Sequence, residues 1–192
     1  MELHRRHSPR ATPLRVLFLC TGNSARSQIA EALLQRKGRG DFEAGSAGSN
    51  PAPQVHPLTL DVLRQHGIDW TGRTPKGMDA VQGQRWDFAI TVCDRARESC
   101  PTFPGQPVFA HWGMPDPAAV VESPAAQERA FQETLVYLSR RLDLFLALPL
   151  EKLERAVLEQ RVRAIGDELP FEARATDSWS TRNAEDARRD LY

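Results

Sequence analysis

Val16-Leu17-Phe18-Leu19-Cys20-Thr21-Gly22-Asn23-Ser24-Ala25-Arg26-Ser27 decides the fold of this chain. An apolar run without a polar break ends at a thiol, as a buried strand does at its carboxyl end. Gly22 and Asn23 follow, two residue types that tolerate positive φ. A helix then begins at once, with Ile29, Ala30, Leu33 and Leu34 on one face. Such a loop turns its backbone N–H groups inward, and the helix N-terminus adds positive potential, so the geometry favours a tetrahedral oxyanion. The Cys-x5-Arg spacing alone carries little; the strand before it and the helix after it carry the argument. Helix end, N–H cradle and Arg26 all favour a thiolate, so Cys20 is expected to have a pKa well below that of a free thiol and to act as a nucleophile. Ser27 is placed to donate its hydroxyl to the same sulfur, and Asn23 to hold the left-handed turn. The plainer readings are a small buried hydrophobe for Cys20 and an ordinary first-turn serine for Ser27. Thr21, Gly22, Asn23, Ser24, Ala25, Arg26 and Ser27 make up the candidate anion-binding set.

Outward from this loop, strand and helix signals alternate. Leu14 to Leu19 reads as a first strand, Ser27 to Arg36 as a helix, and Phe42 to Ala47 as a second strand. Pro57 to His66 reads as a helix closed by Gly67. Phe88 to Val92 is a third strand running into Cys93, and Val108 to His111 a fourth. Ser123 caps a long helix with Pro124 at its first position, whose Phe131, Leu135, Leu138, Leu142 and Phe145 keep one face. Alternation of this kind predicts an α/β fold, a four-stranded parallel sheet with helices on both faces, binding its ligand at the carboxyl ends of strands. Cys20, Cys93 and Asp116 all fall at or just after such ends. The expected layout is a flexible arm over 1–13, a domain over 14–148, a C-terminal helix over 149–169 and a disordered tail over 170–192. Leu150, Leu153, Leu158, Val162 and Ile165 are the apolar positions expected of that helix, with Gly166 as its terminator.

Composition narrows the function. The 192 residues carry 25 Lys and Arg against 25 Asp and Glu, a formal charge of zero, so nothing electrostatic argues for nucleic acid. No stretch approaches a membrane span, and residues 1–13 lack the apolar core of a secretory signal. Three cysteines without a signal predict a reducing compartment, the cytoplasm, and reactive thiols in place of structural ones.

The loop 20–27 resembles the phosphate-binding loop of the low-molecular-weight protein tyrosine phosphatase fold, and residues 14 to 148 follow that pattern. Within the superfamily the chain is most similar to the arsenate reductases that use thioredoxin as reductant. Two further segments carry this narrower resemblance. Cys93-Asp94-Arg95-Ala96-Arg97-Glu98-Ser99-Cys100-Pro101 sets two cysteines seven positions apart, and His111-Trp112-Gly113-Met114-Pro115-Asp116-Pro117-Ala118 carries an Asp-Pro matching the general-acid loop. All three cysteines thus fall where the family has a use for one.

The resemblance implies arsenate as substrate, with phosphate or sulfate as mimics, thioredoxin as partner, and no cofactor. Cys20 would attack arsenic in the grip of the loop and Arg26, and Asp116 would protonate the departing oxygen. Cys93 would then attack the Cys20 sulfur, releasing arsenite, and Cys100 would attack Cys93, leaving a disulfide for thioredoxin. Seven helical residues span roughly 10 Å, whereas disulfide-bonded Cα atoms lie within about 7 Å, so a helical 94–99 would have to unwind. Three alternatives stand beside this reading. A tyrosine phosphatase would use the same loop, but Ala118-Ala119 after Asp116-Pro117 offers no aromatic pair for a phosphotyrosine ring; weak phosphatase activity is still expected. A reductase served by a low-molecular-weight thiol would need Cys20 alone. A zinc or anion-sensing module would draw on Cys93, Cys100 and His111 and lacks a fourth ligand. Some family members hold potassium beneath the loop with an Asn, a Glu, a Ser and an Asp. Asn23, Glu31 and Ser46 match the first three, and Lys76 stands where the Asp would be, so no potassium requirement is expected.

Overall fold

The computed structural model describes residues 12–95 and 103–168. Its centre is strand β1 (Leu14–Cys20), which pairs in parallel with β2 (Phe42–Gly48) on one side and β3 (Phe88–Thr91) on the other. Strand β4 (Val108–His111) pairs in parallel with β3, giving the order β2-β1-β3-β4. Leu17, Phe18 and Leu19 are fully buried, although successive strand side chains point to opposite faces. Both faces of the sheet are therefore covered, which is why β1 reads as a continuous apolar run.

The chain leaves β1 toward β2 on one side and returns to β3 on the other. The order of strands reverses at β1, and in open parallel sheets that reversal opens a crevice at the carboxyl ends. Leu19 is in register with Thr91, so Cys20 and Cys93 lie one and two residues past a shared level of the sheet. This places both thiols at the crevice.

Helix α1 (Arg26–Lys37) packs on β1 and β2, and α2 (Pro57–Gln65) packs on α1. Its N-cap is His56, whose Nδ1 accepts the Leu58 N–H, with Pro57 in the first turn where its missing N–H costs nothing. A short α3 (Asp79–Gln82) precedes β3 and lacked a sequence signal. Helix α4 (Pro124–Leu146) is capped by Ser123 Oγ accepting the Ala126 N–H, and Phe131, Leu135, Leu138, Leu142 and Phe145 are its buried face, as its sequence pattern requires.

The C-terminal element differs from expectation. Helix α5 spans Arg155–Gly166, so Leu150 and Leu153 precede it. Gly166 is its last helical residue, not a left-handed terminator, and the cap after it is Asp167 with φ −84. The glycine is required by proximity: a Cβ there would stand 1.9 Å from the His111 carbonyl oxygen. Helix α5 packs on β4 and α4 with Val162 and Ile165 buried, so it belongs to the same core as the sheet. The expectations for residues 1–11 and 169–192, and those for Cys100 and the segment leading to it, lie outside the described residues.

Candidate active site

Strand β1 ends by burying the Cys20 sulfur, with the residue only 3% exposed. Sγ accepts the Asn23 N–H at 3.0 Å and lies 2.9 Å from Ser27 Oγ. Asn23 has φ 47, so the left-handed turn falls on this residue, and Gly22 has no positive φ. Short polar side chains that bond locally tolerate this conformation. Asn23 Nδ2 donates to Ser27 Oγ at 2.9 Å and to Ser46 Oγ at 2.8 Å, and its Oδ1 accepts the Lys76 N–H at 2.7 Å. Ser27 Oγ thus accepts from Asn23 and shares a hydrogen bond with the Cys20 sulfur in which either group can donate.

The network continues beneath the loop. Ser46 Oγ donates to Glu31 Oε2 at 2.5 Å, and Lys76 Nζ lies 3.3 Å from the same oxygen. The Glu31 side chain is 3% exposed, so the Lys76 ammonium neutralises a buried carboxylate. Among the described residues, no buried side-chain nitrogen or oxygen lacks a partner.

The outer side of the loop is fixed by a strap that sequence reading missed. Ser49, Asn50, Ala52 and His56 donate their N–H groups to the carbonyls of Cys20, Thr21, Gly22 and Ser24, at 2.8 to 3.1 Å. With these carbonyls taken up by the strap, the Asn23 N–H turns to the Cys20 sulfur. Gly48 makes the approach possible, since a Cβ there would meet the Thr21 carbonyl oxygen at 2.4 Å. The only sequence signal is Gly48-Ser49-Asn50-Pro51-Ala52-Pro53, which reads as an ordinary loop. The N-cap of helix α1 is Ala25, which has no capping side chain, so none competes there for the N–H groups of the first turn.

Cys93 is buried just beyond β3, and its Sγ lies 3.5 Å from Thr21 Oγ1. A second thiol therefore touches the loop that carries the first, and both are free. Arg26, the first residue of α1, sends Nη1 to the Met114 carbonyl at 2.9 Å and Nη2 to Asp116 Oδ2 at 2.7 Å. The other oxygen of Asp116 accepts the Ala118 N–H at 3.1 Å, opening the 3-10 turn Pro117–Ala119. Asp116 thus opens the turn and faces Arg26 as well.

The charge state of Cys20 departs from expectation. Burial is the largest influence and pushes the thiol above its ordinary value, with the nearby Cys93 acting in the same direction. The Ser27 hydroxyl, the Arg26 charge and the Asn23 N–H oppose this and are outweighed. Sequence displays the loop and the arginine but not how completely the sulfur leaves water, and desolvation disfavours the charged form.

His111 has both ring nitrogens engaged, by Thr91 Oγ1 and Asp94 Oδ1 at 2.8 Å each. Among the described residues no group of three His, Cys, Asp or Glu is placed to hold a metal ion. No described helix is long and apolar enough to cross a membrane.

A family model described as low molecular weight phosphotyrosine protein phosphatase matches residues 15–157. The arsenate reductase of Halalkalibacterium halodurans is 31% identical over 130 residues, covering 68% of this chain and 93% of that protein. That of Bacillus cereus strain AH187 is 38% identical over 103 residues, or 54% and 76%. Among solved structures, an arsenate reductase in its oxidized state superposes with a TM-score of 0.58 at 26% identity, over 67% of this chain and 93% of that one. A thioredoxin-dependent arsenate reductase of Corynebacterium glutamicum does so at 0.52 and 30% identity, over 70% and 63%.

Proposed function

This chain belongs to the low molecular weight phosphotyrosine protein phosphatase family, and from that premise we propose that it reduces arsenate to arsenite by a thiol relay served by thioredoxin. The observation that favours a reductase over a hydrolase is the contact between Thr21 Oγ1 and Cys93 Sγ. Hydrolysis of a phosphate ester needs one sulfur in the loop. Reduction needs a second one within reach of it.

The buried Cys20 holds its proton more tightly than a free thiol does. Arsenate is a tetrahedral polyanion and brings its own base, so the Cys20 proton passes to an arsenate oxygen as the anion enters the N–H cradle. The thiolate attacks arsenic, and Asp116 in its acid form supplies the second proton that lets this oxygen leave as water. Once protonated, Asp116 no longer competes as an anion for Arg26, which frees the planar fork for two arsenate oxygens. The Cys93 thiolate then attacks the Cys20 sulfur. The sulfur–arsenic bond breaks, arsenic keeps the bonding pair, and arsenite departs with a Cys20–Cys93 disulfide left behind. Cys100 attacks Cys93, returning Cys20 as a thiolate, and reduced thioredoxin takes over the Cys93–Cys100 disulfide.

The deciding experiment is arsenate-dependent NADPH oxidation coupled through thioredoxin and its reductase, with glutathione and mycothiol systems in parallel. Turnover with thioredoxin alone is expected. Turnover only with a small thiol would replace the relay, and aryl phosphate hydrolysis without any arsenate turnover would make the chain a phosphatase.

A further inference from the structure

We propose that Arg141 is a positioning residue for the loop that carries Asp116, and that through it helix α5 becomes part of the active site. The inference rests on the reading of Asp116 as the acid.

Arg141 lies within α4, between the fully buried Leu138 and Leu142, so its backbone is fixed by the core. The residue is 7% exposed. Its Nη1 donates to the carbonyls of Trp112 (2.9 Å) and Gly113 (3.2 Å), and its Nη2 to the carbonyl of Gly166 (2.8 Å). One guanidinium thus joins the start of the acid loop to the last residue of α5. Two further features tighten the junction. The Trp112 indole donates to the Val162 carbonyl at 3.0 Å, and Gly166 lies too close to the His111 carbonyl for any side chain to intervene.

From the other side, Arg26 holds the Met114 carbonyl and the Asp116 carboxylate. Residues 112 to 116 are therefore suspended between two arginines, and Asp116 lies three residues past the last carbonyl held by Arg141. A shift at one grip has little slack in which to dissipate before it reaches the carboxylate. Burial lowers the Arg141 pKa to about 10, which still leaves it charged at neutral pH. A desolvated cation is costly unless its hydrogen bonds are made, and mere cover of β4 needs only apolar residues such as Val162 and Ile165. A planar fork that reaches two elements suits registration, and lysine cannot reproduce it. The family match ends at residue 157, within α5, so most of the helix that supplies Gly166 lies beyond it.

The test compares Arg141→Met, Arg141→Lys and Gly166→Ala in the full chain by amide hydrogen exchange and by arsenate turnover. Faster exchange over residues 112–120 and at the end of α5, with α1 and β2 unchanged, is expected in all three. In Arg141→Met kcat should fall roughly 10- to 100-fold without a rise in KM, as for a misplaced catalytic group that does not itself hold the substrate. Adding Arg141→Met to Asp116→Asn should cost nothing more, because the arginine acts through that carboxylate. Should Arg141→Met fail to fold, Gly166→Ala carries the same prediction with Arg141 intact. Unchanged exchange over 112–120, or losses that multiply in the double variant, would overturn the proposal. Absence of arsenate turnover in the parent protein would defeat the reductase reading instead, and this inference would then stand or fall on the exchange of residues 112–120.

Discussion

Arg26 and Asp116 form a single ion pair, with Nη2 2.7 Å from Oδ2; the arginine side chain is 10% exposed and the carboxylate 43%. In the proposed reaction, Arg26 as the anion-binding group and Asp116 as the acid are therefore in competition, since a carboxylate held by Arg26 opposes the entry of another anion. Protonating Asp116 relieves that opposition and prepares the acid in the same event. In the proposed reaction, substrate binding and proton delivery are thereby coupled through this contact.

Asp116→Asn separates the two roles. The amide cannot supply a proton, and kcat for arsenate should fall by about 10²- to 10⁴-fold. The same change removes a negative charge from beside Arg26, so inorganic phosphate should become the stronger competitive inhibitor. Steady-state kinetics with phosphate titration checks both. A lower kcat with weaker phosphate inhibition would show that Asp116 supports Arg26 more than it competes with it.

Cys20 should resist alkylation at neutral pH. Its pKa is raised by burial, so the thiol form persists above the range in which a free cysteine ionises, and the iodoacetamide rate should climb only on the alkaline side. Ser27 lowers this pKa by its hydrogen bond to the sulfur; Ser27→Ala should therefore move the alkaline limb to still higher pH. The rate for the Cys20 peptide is followed by mass spectrometry in a Cys93→Ser background. A limb below that of a free thiol, or one shifted downward by Ser27→Ala, would contradict the assigned balance of forces.

The four-stranded parallel sheet and the nearness of Cys20 and Cys93 were legible because buried strands such as β1 and β3 leave largely apolar runs that lead into a chemically distinctive residue, whereas the order of the strands was not. Less visible was whatever depends on backbone proximity. The strap of residues 49–56 uses only main-chain N–H groups, so side-chain chemistry does not announce it. Gly166 looks like a helix terminator in sequence, yet it is needed by the nearness of His111, which is 55 positions away in the chain. Arg141 reads as one of many charged residues on an amphipathic helix, and only packing reveals that it is buried among carbonyls. The Cys20 pKa failed for a related reason: local charges can be listed from sequence, whereas desolvation is a property of the finished core.

Lys76 predicts indifference to potassium. Its ammonium stands 3.3 Å from Glu31 beneath the loop, so exchanging potassium for sodium should leave kcat/KM unchanged. Lys76→Met strands a buried carboxylate and should cost about 1–3 kcal/mol of stability. The same variant should slow turnover, because Glu31 holds Ser46 and, through Asn23, the serine that serves Cys20. Thermal unfolding and activity in the two salts test this. Strong activation of the parent protein by potassium would refute it.

The relay makes the sharpest demand on the three thiols. Cys93→Ser and Cys100→Ser should both abolish thioredoxin-coupled turnover, yet they should fail at different points. Cys93→Ser cannot attack the Cys20 adduct, so no arsenite appears even in a single turnover. Cys100→Ser retains the Cys93 sulfur at the loop, where it contacts Thr21. It should release one equivalent of arsenite and stall as a Cys20–Cys93 disulfide, found by peptide mapping under non-reducing conditions. Neither substitution should affect aryl phosphate hydrolysis, which uses Cys20 alone. Sustained thioredoxin-coupled turnover in Cys100→Ser would eliminate the second exchange and leave Cys20–Cys93 itself as the disulfide that thioredoxin reduces.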